Sequence, residues 1–217
     1  MKERALEGLA QLQRLLQSVH GVSAAPVEDF LVGKERAAGA EQEALLVSEN
    51  GEELRIGLFL AEPVLAQLSR ASSEPWTHER LSGFCAAAEG VSHFLYLAHR
   101  AGQGGQVSQL ELEAQGELDK YLAVVLQLWA TGRRSASKAL RHRLFDRSVL
   151  KPGLAAAERD RYRLASALGA ACAHALEARY VLAGRLDALL REVRRLYRLS
   201  GGEKFSALAQ GAVAWAA

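Results

Sequence analysis

Glu89, His93, Tyr96 and Arg100 recur at i, i+4, i+7 and i+11, a spacing that lays them along one stripe of a helix. Glu113, Glu117 and Lys120 form a second stripe. A Gly-Gln-Gly-Gly loop at 102–105 separates the two, and helices joined by so short a loop pack by default as antiparallel neighbours. A turn centred near Gly104 sets His93 opposite Gln115 and Glu89 opposite Asp119. With the stripes facing each other, Glu89, His93 and Glu117 supply one imidazole and two carboxylates, the donors for a divalent metal or a general acid–base pair. A solvated stripe laced by i,i+4 pairs has the same pattern. The paired E-x-x-H signature of di-iron bundles is absent, and His174 with Glu177 gives only one isolated H-x-x-E.

A second set of residues is cationic. Segment 133–151 carries Arg133, Arg134, Lys138, Arg141, Arg143, Arg147 and Lys151 against a single acid, Asp146. On a helix Arg134, Lys138 and Arg141 share a face, while Leu140, Leu144 and Phe145 give an apolar side. Arg191, Arg194, Arg195 and Arg198 add a further cluster. Cations spaced this way neutralise phosphates without reading bases. No aromatic interleaving, helix-turn-helix or RRM pattern accompanies them. A solvated or partner-facing surface has the same composition.

The stretch Leu-Ser-Gly-Gly-Glu-Lys at 199–204 resembles the LSGGE signature of ABC and SMC-type ATPases. In those proteins the serine and glycines contact the γ-phosphate of a nucleotide held by a partner subunit. The resemblance covers six residues. A G-x-x-x-x-G-K-[ST] loop and an apolar strand ending in an acidic pair are both missing. The stretch is therefore read as a helix end at Leu199, a glycine break and a new helix. Serine elbows, H-E-x-x-H helices and dinucleotide glycine fingerprints are also absent.

The elements that must carry these groups follow from periodicity. Leu6, Leu9, Leu12, Leu16 and Val19 predict a helix over 5–19, stopped by Gly21. A short edge strand is expected over 27–32. Asn50-Gly51 between 44–48 and 53–60 predicts an antiparallel hairpin. Val47 would lie opposite Leu54 and Leu45 opposite Ile56, all four on one buried face. Helices follow over 62–70, 77–101, 108–131, 134–147, 154–183 and 185–199, with a short one over 204–210. Thr77 is the expected N-cap of the third, and Ser108 with Glu111 a capping box for the fourth. Ala165, Gly169 and Ala173 allow a close helix approach.

The 217 residues and 49% hydrophobic content suit a globular chain. The expected fold is α+β and mostly helical. A small antiparallel hairpin or sheet packs on a bundle of six or seven helices, in one domain over 1–217 with a hairpin subregion over 1–60. Cys85 and Cys172 are far apart and outside any ligand spacing, which fits a reducing, cytoplasmic setting and no disulfide. No secretion signal is read at the N-terminus, and the apolar runs 121–130 and 164–176 are too short to span a bilayer. Residues 1–120 carry 10 Lys and Arg against 18 Asp and Glu, a net −8, and residues 121–217 carry 17 against 7, a net +10. The expectation is a non-catalytic regulatory or scaffolding module acting through protein–protein contacts, as a homo-oligomer, with Tyr121, Trp129, Tyr197 and Trp215 as interface aromatics. No cofactor and no membrane partner are expected. The alternatives are non-specific nucleic-acid binding through Arg134, Lys138, Arg141, Arg143, Arg147, Arg194 and Arg195, and an enzyme built on Glu89, His93 and Glu117.

Overall fold

The structure, a computed structural model, describes residues 2–37, 39–50, 53–70, 74–146 and 153–213. The chain divides into two compact units, one of Met1–Ser18 with Val22–Gly104 and one of Val19–Gly21 with Gly105–Ala217. The main division falls in the glycine loop that follows residue 101. The fold is α+β and mostly helical, with seven helices following the hairpin among the described residues.

In unit 1, helix α1 (Lys2–His20) buries Ala5, Leu9, Leu12 and Leu16 along one stripe, as its 3.6-residue periodicity requires. Gln13 on that helix is buried and ties down the following loop. Its amide donates to the carbonyl of Ala25 (2.7 Å) and accepts from the Val27 N–H (2.9 Å). That loop forms a 3-10 turn, Val27–Phe30, where the sequence suggested an edge strand. After it, Leu31 makes an isolated parallel bridge to the sheet at Leu58, and the Val32 N–H donates to the Leu58 carbonyl (2.9 Å).

Strands β1 (Glu43–Asn50) and β2 (Glu53–Leu60) pair antiparallel, with Val47 opposite Ile56 and Leu45 opposite Leu58. The register differs by two residues from the expected one, because Asn50 pairs with Glu53 and so belongs to the strand. Gly51 of the expected turn lies outside the described residues. A shift of two leaves every side chain on its own face, so Leu45, Val47, Leu54 and Ile56 still share one. That face is not a buried one. Val47 is 46% exposed and the other three are half-buried, whereas Leu58, Phe59 and Leu60 are buried on both faces. The hairpin is anchored at its base, and residues 47–50 at the far end of β1 are exposed.

Helices α2 (Glu62–Leu68) and α3 (His78–Ala101) complete unit 1. Thr77 caps α3 as expected, its hydroxyl accepting from the Arg80 N–H (3.2 Å). Two glycines let α3 approach its neighbours. A Cβ on Gly83 would meet the Gln67 side chain at 2.5 Å, and one on Gly90 would meet Leu58 at 3.0 Å.

Unit 2 is helical. Helix α4 (Gln109–Ala130) opens on the expected capping box, Ser108 with Glu111. The basic segment expected as one helix over 134–147 is broken into a 3-10 turn, the short helix α5 (Ser137–Arg141) and a π turn, His142–Asp146. Like charges one turn apart, at Arg134, Lys138 and Arg141, oppose a regular helix there. Helix α6 (Ala156–Leu176) passes into a second π turn, Glu177–Val181, and Gly184, at φ +70°, separates it from α7 (Leu186–Arg198). The last helix, α8 (Gly201–Val213), starts at the glycine pair expected to act as a break. No helix of the described residues is long and apolar enough to cross a membrane.

The small-residue stripe of α6 behaves as its spacing predicts. Ala165, Gly169 and Ala173 are all buried, and a Cβ on Gly169 would lie 2.6 Å from the Cβ of Glu117 on α4. Gly169→Ala should therefore lower the melting temperature, since overpacking costs about 1–3 kcal/mol against a helix-propensity gain of about 1 kcal/mol. Gly202→Ala, where a Cβ meets nothing within 4 Å, should leave it unchanged or raise it. Thermal denaturation followed by circular dichroism compares the two.

Candidate functional site

The densest chemistry in unit 2 lies along one face of α4, where Glu111, Gln115 and Asp119 repeat every four residues and are all buried. Lys204 on α8 reaches this face with its ammonium fully enclosed. It donates to Gln115 Oε1 (2.8 Å) and to the Leu196 carbonyl (3.4 Å), and sits 5.7 Å from the ring centroid of Tyr197. Gln115 Nε2 donates to Asp119 Oδ1 at 2.9 Å. His20 Nε2 lies 2.8 Å from the same oxygen, and its ring stacks on Tyr197 at 3.9 Å. The amide thus connects an ammonium to a carboxylate with its dipole aligned between them. Each member gains an opposite charge or a charge-assisted hydrogen bond, which is the condition for keeping such groups out of water.

Glu111 extends the network to the start of α8. Its Oε1 accepts from the Gly201 N–H (2.9 Å), while Oε2 accepts from the Ser108 N–H (3.0 Å) and hydroxyl (2.9 Å). A carboxylate at the positive end of a helix satisfies an N–H that would otherwise lack a partner. This is why α8 begins at Gly201 instead of past the glycines. Burial alone would raise the Glu111 carboxyl. The hydrogen bonds from Ser108 and Gly201, with the charge of Lys204, outweigh it and hold the group below its ordinary 4.5.

A His–Asp pair is half of a nucleophile-activating relay. Here His20, Asp119, Gln115, Lys204 and Tyr197 are each at most 1% exposed, so none reaches a substrate. A cleft of unit 2, lined in part by Cys172, Arg179, Tyr180, Glu192 and Arg195, encloses about 40 Å³, room for water only. Burial pushes the Cys172 thiol up to about 12, so it is not a nucleophile at neutral pH.

No family model matches the chain, and no curated protein or solved structure is similar to it.

The residues singled out from the sequence are divided between the two units. Glu89, half-buried, and His93, buried, are on α3 in unit 1. Glu117 is on α4 in unit 2, paired with Lys120 at 3.0 Å. Among the cations, Arg133, Arg134 and Lys138 are exposed, with the Arg134 guanidinium 5.8 Å from the Trp129 ring. Arg141 does not share their surface. It turns inward to Glu177, Nε to Oε2 at 2.9 Å. Arg143 is half-buried, and Arg147 and Lys151 lie outside the described residues. Arg194 donates to the Val19 carbonyl (3.2 Å), and Arg195 grips Glu192 through two hydrogen bonds. Tyr121 and Tyr197 are core residues, not surface aromatics. Trp129 is half-buried, and Trp215 is not described. The periodicity of Glu111, Gln115 and Asp119 was the available signal for the buried network, but a polar stripe reads equally as a solvated face.

Two outcomes test this account. Lys204→Met should cost about 1–3 kcal/mol, because it leaves two buried acceptors, Gln115 Oε1 and the Leu196 carbonyl, without their donor. Urea denaturation of the variant beside the wild type reads the loss. A depressed carboxyl contributes stability that is present above its unfolded value and is lost as pH falls through its folded value. The stability gap between wild type and Glu111→Gln should therefore be widest near neutrality and shrink below pH 4.5, as read from urea midpoints across pH.

Proposed function

We propose that the protein is a non-catalytic interaction module acting through protein–protein contacts, with a second copy of the chain as its first partner. The observation that carries this reading is the division of its charged groups by exposure. The groups capable of acid–base chemistry in the α4 network are enclosed, while the exposed surface carries many charged groups, some of them, such as Arg195 with Glu192, paired along their own helix. Arg191, Arg195 and Arg198 stand exposed at i, i+4 and i+7 of α7, one continuous stripe. Unit 1 exposes Glu28, Asp29, Glu35, Glu41 and Glu49. Unit 2 carries 18 Lys and Arg against 11 Asp and Glu, a net +7, and unit 1 carries 9 against 14, a net −5.

Complementary surfaces on one chain suit a closed two-fold dimer, in which each contact is made twice. Charge steers such an encounter and sets its orientation, and apolar contact supplies most of the affinity. Leu164 and Leu182, 49% and 52% exposed, are apolar positions of unit 2 open to such contact. The same arginines favour a second reading, non-specific binding of nucleic acid, since the α7 stripe also suits phosphates.

Light scattering across a micromolar concentration series at low and moderate salt separates the readings. The dimer reading expects a mass near twice 23.5 kDa that falls toward the monomer in Arg191→Glu/Arg195→Glu/Arg198→Glu. A monomeric mass throughout, with salt-sensitive binding of a labelled oligonucleotide that the triple variant loses, would transfer the α7 surface to nucleic acid.

A further inference from the structure

Where α5 meets α4 and the π turn after α6, unit 2 encloses a second polar cluster. Tyr121 and Ser137 are fully buried, and Glu177 is 3% exposed. Arg141 lies one turn beyond Ser137 on the same face of α5 and binds Glu177 through Oε2. The opposite carboxylate oxygen, Glu177 Oε1, has no hydrogen-bond partner among the described residues, and neither does Tyr121 Oη nor Ser137 Oγ. Tyr121 lies within electrostatic range of both Glu177 and Arg141, and its phenol is raised by burial and then by Glu177. It is therefore a neutral O–H, a donor.

Three buried oxygens of this kind are costly if they stay unpaired, about 1–3 kcal/mol each, and native proteins satisfy such groups with internal water. The backbone around Glu177 is widened into a π turn, a distortion that occurs often at binding positions. We infer that Tyr121, Ser137 and Glu177 form a binding site for an internal water molecule, which links α4, α5 and the π turn. The hydrogen-bond complement fits. The water accepts from the Tyr121 O–H, donates to Glu177 Oε1, and exchanges its remaining bond with the Ser137 hydroxyl, three partners as a buried water takes. A metal cation fits less well, although all three donors are oxygens. Arg141 already balances the Glu177 charge, so a metal would bring an uncompensated positive charge into the interior.

The water reading has a sign that distinguishes it from three unpaired groups. Removing an unpaired buried hydroxyl stabilises a protein, and removing a hydrogen-bonded one destabilises it. Tyr121→Phe and Ser137→Ala, both near-isosteric, should each reduce the unfolding equilibrium constant's preference for the folded state by about three- to tenfold in urea titrations. The two side chains make no hydrogen bond to each other. Their effects should nonetheless be non-additive in the double variant, because a shared water couples them. A gain of stability in either single variant, or strict additivity in the double, overturns the inference. Wild-type stability should be equal in sodium, potassium and choline chloride at matched ionic strength. A gain specific to one metal ion would also overturn it, by placing that cation in the site.

Discussion

An ammonium group that is fully enclosed needs acceptors on every side, and much of unit 2 is arranged to give them to Lys204. Its charge is met by the Gln115 amide oxygen, the Leu196 carbonyl and the face of Tyr197. Gln115 is in turn oriented by Asp119, and Asp119 by His20. Each link fixes a helix. Gln115 and Asp119 set the rotation of α4, Lys204 that of α8, and the Leu196 carbonyl ties in the end of α7. An apolar core of the same shape would hold together without such directionality. The polar one penalises a slip, because it would leave a buried polar group without its partner. Glu111 strengthens the same junction by capping α8 from across the bundle.

The parts of the fold that could be read from the chain are those whose cause is local. Ser108 and Glu111 announce the start of α4 within four residues, and Thr77 that of α3. The alternation around Asn50 identified the hairpin and its faces, though not its register, because Asn50 is as acceptable in a strand end as in a turn. The burial of that face was misjudged for a different reason. Alternation shows which residues lie together, but how far the strands extend beyond the core depends on neighbours distant in sequence. The Gly169 stripe was legible because close approach demands small residues whatever the partner is.

The candidate site was much less legible. A Glu–Gln–Asp stripe on a helix resembles solvated surface until a cation arrives from elsewhere, and Lys204 sits in a stretch whose glycines drew attention to the backbone. Arg141 was grouped with Arg134 and Lys138 by helical spacing, yet the helix is too short and too distorted to carry that face intact. Its partner, Glu177, stands 36 residues away. In each case the sequence displays one ion of a pair, and burial is decided by the other.

The sequence separations within the Lys204 network bear on how unit 2 assembles. His20 and Asp119 are 99 residues apart, and Gln115 and Lys204 are 89 apart. Closing loops of that length brings a large entropic cost before any contact repays it, which favours late formation. During synthesis α4 emerges with its carboxylates still hydrated, well before the chain that neutralises them exists. The interior of unit 2 can therefore be dehydrated only after α8 has been made.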